Sequence, residues 1–154
     1  MKLSNLFPLA LVAVLLYSCS QSGGSSEEKK VDSTFTTECY KAIDNQDTAT
    51  LTLKTHADKK VTGHLVFDFD KKDKNDGSIK GEFKGDTLYV DYEFKVGANA
   101  FHKNPLAFLK KDGKLMLGVG KMETRFGKTY FRKDLPIHFD GGRFTFETVE
   151  CKVK

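Results

Sequence analysis

From about residue 33 onward the chain alternates apolar and polar side chains with a period of two. Leu88-Tyr89-Val90-Asp91-Tyr92-Glu93-Phe94-Lys95-Val96 holds the pattern longest, with Leu88, Val90, Tyr92, Phe94 and Val96 on one face and Asp91, Glu93 and Lys95 on the other. Alternation of this kind puts neighbouring side chains on opposite sides of a strand. Leu65, Phe67 and Phe69 alternate in the same way with His64, Val66 and Asp68, and Ile79, Gly81 and Phe83 with Lys80, Glu82 and Lys84. Beyond the amino-terminal segment no helical period is sustained, and no repeat of fixed length is present.

The turn residues can be checked against the faces they would bring together. Gly85-Asp86 is a two-residue hairpin signal; it sets Phe83 opposite Leu88 and Gly81 opposite Val90. Asp112-Gly113 sets Phe108 opposite Leu117 and Leu106 opposite Val119. Gly141-Gly142 sets Phe139 opposite Phe144, Ile137 opposite Phe146 and Asp140 opposite Arg143. In each case apolar meets apolar, and a slip of one residue would reverse the faces. Gly127-Lys128 predicts a further hairpin with Glu123 across from Arg132. A longer turn, 70–77, joins strands at 61–69 and 78–84, and two early strands, 35–42 and 49–55, flank Asp44-Asn45-Gln46-Asp47.

The predicted fold is all-β: an antiparallel up-and-down barrel or nearly closed meander of about 8–10 strands, lipocalin-like, because closure removes exposed sheet edges. A two-sheet sandwich is the alternative. Gly63 and Gly81, at inward positions, suit sharp bends in a curled sheet. Phe67, Phe69, Phe83, Tyr92, Phe94, Phe108, Phe139, Phe144 and Phe146 all point to the predicted inside. An eight-stranded barrel has room either for such side chains or for one small molecule, so a filled core and a small apolar ligand are both open.

The amino-terminal segment changes the picture. Lys2 precedes an apolar run from Leu6 to Tyr17, interrupted by Pro8. The run is too short for a spanning helix, which needs roughly 20 apolar residues, and suits the apolar part of an export signal. Leu16-Tyr17-Ser18-Cys19 resembles the lipobox of bacterial lipoproteins, with Tyr17 where a small residue is commoner. The resemblance implies removal of residues 1–18 and lipid attachment at Cys19. Acyl chains bury about 0.8 kcal/mol per methylene, and stable anchoring takes more than one chain. Residues 19–33, rich in Ser and Gly with Glu27-Glu28 before Lys29-Lys30, read as a flexible tether. The acidic pair resembles signals that route some lipoproteins to the outer cell surface; a solvated spacer reads equally well. The implied location is the outer membrane, with the membrane as partner through the lipid.

Three cysteines are present. With Cys19 assigned to lipid, Cys39 and Cys151 are left, and an oxidising compartment favours their pairing over two buried thiols. The bond would join the first strand to the last. The formal charge of +4 does not point to nucleic acid, since Lys alternates with Asp and Glu and the chain is exported. Residues 34–154 make a single domain.

Cys39-Tyr40, the block Asp47-Thr48-Ala49-Thr50-Leu51, and Gly77-Ser78-Ile79-Lys80-Gly81-Glu82-Phe83-Lys84-Gly85-Asp86-Thr87-Leu88, together with Cys151, resemble a group of small uncharacterised exported lipoproteins of Gram-negative bacteria. The resemblance implies an envelope location and brings no catalytic or ligand residues. Gly127-Lys128-Thr129-Tyr130 distantly resembles the Ser-Gly-x-x-Tyr loop of membrane-bound lysozyme inhibitors; it lacks the Ser, and a basic domain is poorly matched to basic lysozyme.

Catalytic and metal chemistry find little support. Asp68 to Gly77 has the look of a calcium loop, yet setting Gly77 at the sixth position puts Lys72, Lys74 and Phe83 where ligands are needed. His56, His64, His102 and His138 lack metal-ligand spacing, and no nucleophile motif is present. The expected role is therefore non-enzymatic, with no cofactor and no metal: a binding or structural module. A lipocalin-type carrier of a small apolar ligand and an inhibitor of a cell-wall hydrolase are the alternatives. Phe101 and His102, in the stretch before Pro105 that lacks alternation, are the candidate recognition residues of a loop, or else a cap on the barrel. The partner would be an envelope protein or a small apolar molecule.

Overall fold

The structure, a computed structural model, describes residues 34–97 and 100–151. The signal segment 1–18, the lipid-attachment residue Cys19 and the tether lie outside the described residues. Twelve strands follow in order: β1 (Phe35–Asp44), β2 (Asp47–His56), β3 (Lys60–Asp68), β4 (Asn75–Lys84), β5 (Thr87–Val96), β6 (Ala100–Lys111), β7 (Lys114–Leu117), β8 (Val119–Gly120), β9 (Met122–Arg125), β10 (Lys128–Phe131), β11 (Ile137–His138) and β12 (Thr145–Val149). Eight of them close an antiparallel up-and-down barrel in the order β1-β12-β7-β6-β5-β4-β3-β2. Closure replaces the two-sheet alternative. The chain does not run around the barrel in unbroken sequence order, however: β8 to β11 leave the wall between β7 and β12.

The hairpin registers follow from the alternation. Phe83 faces Leu88 and Gly81 faces Val90 across Gly85-Asp86, and Phe108 faces Leu117 across Asp112-Gly113. On the inner face of β5, Leu88, Val90, Tyr92 and Phe94 are buried while Tyr89, Glu93 and Lys95 are exposed. Gly81 sits where a Cβ would collide with the carbonyl oxygen of Tyr89, so only glycine lets β4 fold down onto β5 there.

Aromatic rings meet across the interior. Phe67 of β3 lies 5.2 Å from Phe144 and 6.4 Å from Phe146 of β12, centroid to centroid. Phe146 also meets Phe108 of β6 edge-on at 5.7 Å. Strands β3 and β12 are separated in the wall by β1 and β2, so these contacts span the lumen and fill it. Each large side chain so buried contributes roughly 1.5–3 kcal/mol. Tyr92, 2% exposed, stacks on Phe94 at 4.5 Å, and its hydroxyl lies within donating distance of the carbonyls of Leu65 (3.0 Å) and Asn75 (2.8 Å). Burial, with Asp76 adding, raises the Tyr92 phenol above its ordinary pKa, so it stays a neutral donor.

The two barrel ends differ. One holds the start of β1, the turns 57–59, 85–86 and 112–113, and Cys151. There Lys110 of β6 reaches across the mouth to both carboxylate oxygens of Glu38 on β1, at 2.8 and 3.0 Å. Cys39 and Cys151 are disulfide-bonded, with Cα atoms 5.2 Å apart, directly beside the short β1–β12 seam. At the other end Arg143 binds Asp44 at 2.7 Å and also Asp47. The backbone N–H of Asp70 donates to Asp47 as well, at 2.7 Å. That N–H first, then Arg143, lowers the Asp47 carboxyl below its ordinary pKa. Its stabilising contribution is therefore complete above the unfolded value, about 3.9, and is lost as pH falls from there toward the lowered folded value. Asp47→Asn should melt lower than the parent protein at pH 7, with the gap closing as pH falls below 4; thermal scans across that range check it.

The alternation misleads at Gly141-Gly142. No hairpin forms there: β11 pairs with β8, and β12 with β7 and β1. Gly142 passes so close to Leu117 that a Cβ would strike its carbonyl oxygen, and Arg143 turns to Asp44 and Asp47 rather than Asp140. Phe144 and Phe146 enter the core, whereas Phe139 packs over Gly118.

Candidate functional site

The most distinctive surface is built by residues 118–144. At the end of β7 the ladder divides: Leu117 N–H bonds to Phe144 O at 3.0 Å and Gly118 N–H to Ala107 O at 2.8 Å. The chain then turns outward, and Val119 pairs with His138 rather than Leu106. A Cβ at Gly118 would press on Ile137 and Phe139, and one at Gly120 on Phe131 and Ile137. Glycine at both places lets these side chains lie flat on β8.

Strands β9 and β10 form a hairpin around Phe126-Gly127, with Lys128 opposite Arg125 and Tyr130 opposite Glu123. The expected turn, Gly127-Lys128, is displaced by one residue. Both central residues are left-handed, φ 51° for Phe126 and 74° for Gly127. Arg132, expected across from Glu123, instead bonds through its backbone N–H to Lys121 O at 2.9 Å and through its guanidinium to Asp134.

An open groove of about 1450 Å³ runs between this excursion and the outer wall of β4, β5 and β6. Seven Lys and Arg side chains line it against four carboxylates, leaving three positive charges in excess. Asp91 faces Lys103 at 3.3 Å and Lys128 at 3.5 Å, and Lys80 is its register partner on β4. Arg125–Glu123 (2.9 Å), Lys84–Glu82 (3.0 Å) and Lys60–Asp58, the last of which joins a lining lysine to the adjacent turn at 2.8 Å, are solvent-exposed pairs. Such pairs add little to stability. Aromatic side chains interleave: Tyr89 on the wall, Phe126 and Tyr130 on the excursion, with the Lys128 ammonium 5.2 Å from the Tyr130 ring centre. The arrangement can hold an anion and an apolar group together.

The sequence-selected recognition pair lies elsewhere. Phe101 and His102, expected on a loop, are in strand β6, opposite Lys95 and Phe94. His102 stacks on Phe94 at 5.3 Å; Phe101, 77% exposed, lies under the Lys95 ammonium at 4.7 Å. The alternation is absent there because β6 outruns β7, whose pairing stops at Phe108, and both faces of its first residues meet solvent. Pro105 is tolerated within the strand on the side that β7 does not cover. The Gly127-Lys128-Thr129-Tyr130 segment stands at the tip of the β9–β10 hairpin and along β10. Among the other histidines, His64 pairs with Asp76 at 3.0 Å on the convex outer wall, both side chains 58% exposed. Ser78 is opposite His64 in register. Among the described residues no group of three His, Cys, Asp or Glu is placed to hold a metal.

Nothing in the alternation marks the groove, since Lys80, Glu82, Tyr89 and Asp91 on its wall are outward residues that read as solvated. The one local signal is an aromatic, Phe126, immediately before a turn glycine. Compared with known proteins, the chain matches no family model, no curated protein and no solved structure.

Proposed function

We propose that this protein is a cell-envelope lipoprotein, anchored in the outer membrane through Cys19, whose barrel is a non-enzymatic binding module that recognises its partner on the outside of the wall. The observation that carries the reading is the contact of Phe67 with Phe144 and Phe146 across the lumen. A barrel so filled offers its exterior, and the groove beside the excursion is a concave surface there with converging charged and aromatic groups. The same contacts weigh against a carrier of a small apolar ligand. The lipobox-like Leu16-Tyr17-Ser18-Cys19 supports the anchor. Thr34 and Cys151 stand at the same barrel end, so a segment leading to Cys19 joins the barrel beside the disulfide rather than beside the root of the excursion.

Cys19→Ala is expected to move the protein from the membrane to the soluble fraction. Intact mass of the parent protein is expected to show a diacylglycerol thioether and an acylated amine on a chain beginning at residue 19. Retention of the variant in membranes after an alkaline wash, or an unmodified terminus, would overturn the anchor.

A further inference from the structure

We infer that the groove between the outer wall of β4–β6 and the 118–144 excursion binds an acidic, extended segment of a partner protein, with Phe126 as the apolar anchor. The inference rests on the reading of the barrel as an exterior binding module and names the chemistry of what it recognises.

The first observation is the conformation of Phe126. Its φ of 51° lies in the left-handed region, and its side chain is wholly exposed. The other two-residue turns here use Asn45, Gly85 and Asp112-Gly113, residues at home with positive φ; in the longer turns Lys59 and Lys71 adopt it too, but neither is a large apolar side chain. Phenylalanine at this position is strained and gains nothing from the fold, and strain of this kind collects at binding sites. The second observation is where apolar surface is left uncovered. Phe126, Tyr130 and Leu135 on the excursion and Tyr89 on the facing wall, four of the ten exposed large hydrophobic residues among the described residues, line the groove; Val119 and Met122, also exposed, lie on the excursion outside that lining. Concentration of this kind marks an interaction surface. The third is charge: seven cationic side chains stand against four carboxylates in the lining, one of the seven, Lys60, being paired with Asp58 outside it; Asp91 is shared between Lys80 and Lys128, while Lys103, outside the lining, is held more closely by Glu93.

Shape and lining select the occupant. A lipid surface is flat and would touch the rim of a groove without filling it. A glycan would stack on Tyr89 and Tyr130 but gain little from Leu135 and Ile137. A peptide segment that alternates carboxylates with apolar side chains uses both sets, and Tyr, Phe and Arg are the residues that dominate protein interfaces.

The test begins with selection from a phage library of random peptides, about a dozen residues long and so able to run along a groove as an extended chain, on the full chain in detergent micelles. Enriched peptides are then synthesised and titrated by fluorescence anisotropy. Enriched sequences should carry net negative charge with at least one Phe, Leu or Ile, and their binding should weaken with salt. Affinity should fall about tenfold or more in Phe126→Asn, and likewise in the Lys80→Glu/Lys128→Glu double variant. Phe126→Asn should melt at or above the parent temperature, because asparagine tolerates the left-handed turn, so loss of binding there is not loss of fold. The inference is overturned if no peptide is enriched, if the enriched peptides are neutral or basic, or if Phe126→Asn binds as tightly as the parent. It is also overturned if phosphatidylglycerol vesicles or polygalacturonate bind in a Phe126-dependent way while acidic peptides do not, which would assign the groove to lipid or glycan. All of these outcomes are independent of membrane release by Cys19→Ala, so failure of the peptide chemistry and failure of the anchor are told apart.

Discussion

Cys39→Ser should lower the folding stability of the oxidised protein by about 4–5 kcal/mol at most, the chain-entropy figure for a closed loop of this size. The bond spans 112 residues of sequence, so it restricts nearly the whole barrel in the unfolded state. Its site makes the loss more telling, since the seam it flanks is short: β1 meets β12 through Cys39, Tyr40 and Lys41 alone, opposite Val149, Thr148 and Glu147. Urea denaturation of parent and variant, each with and without reductant, checks the prediction. The parent protein in reductant should fall to the stability of the variant, and its transition should steepen because the unbridged unfolded chain exposes more surface. The variant should not respond to reductant. Equal stability of parent and variant under oxidising conditions would show that the bridge does not form in solution.

Phe146→Ala should cost about 3–5 kcal/mol, the range for truncating a fully buried aromatic residue. Phe146 is 0% exposed and touches rings from both sides of the lumen, Phe67 and Phe108. Neither can collapse into the space it leaves, because each is fixed on a hydrogen-bonded wall. The cavity should stay dry and accept benzene, as apolar engineered cavities do. Benzene should then raise the melting temperature of the variant and leave the parent unchanged. A loss under about 1 kcal/mol, or stabilisation of the parent by benzene, would mean that the interior already holds space for a ligand; the carrier reading would then displace the exterior one.

How much of this could be read from the chain depends on whether a strand has one wet face. Along β2 and β5 it does, so Leu51 and Leu53 alternate with Thr50, Thr52 and Lys54, and Tyr92 and Phe94 with Asp91, Glu93 and Lys95, and the register across Gly85-Asp86 follows from matching faces. Cys39 and Cys151 were legible for a different reason: with Cys19 assigned to lipid they are the two cysteines left in a chain read as exported, and their bond then joins the first strand to the last. In β6 the alternation is missing ahead of Pro105, where both faces are wet and Phe101 and His102 carry no pattern. Over 118–144 the pattern is lost more completely. Strands β8 and β11 are two residues each, too short for a period to register. Phe139 and Phe144 match as a hairpin pair, but Phe144 gains more from the barrel core, and Phe139 from the bare backbone at Gly118. The groove was invisible because it is a tertiary product: Tyr89 and Lys80 meet Tyr130 and Lys128 only after residues 118–144 fold back over the wall.

The bridge between Cys39 and Cys151 also governs how the domain bears load. A tug on the amino-terminal side reaches β1 at Phe35, at the end of the barrel where Cys151 also lies. Without sulfur, β1 would peel away one rung at a time. With it, peeling halts after residues 35–38, and force passes sideways into β12, so that several rungs must shear together. A pull applied at residue 35 is thereby borne by two strands instead of one.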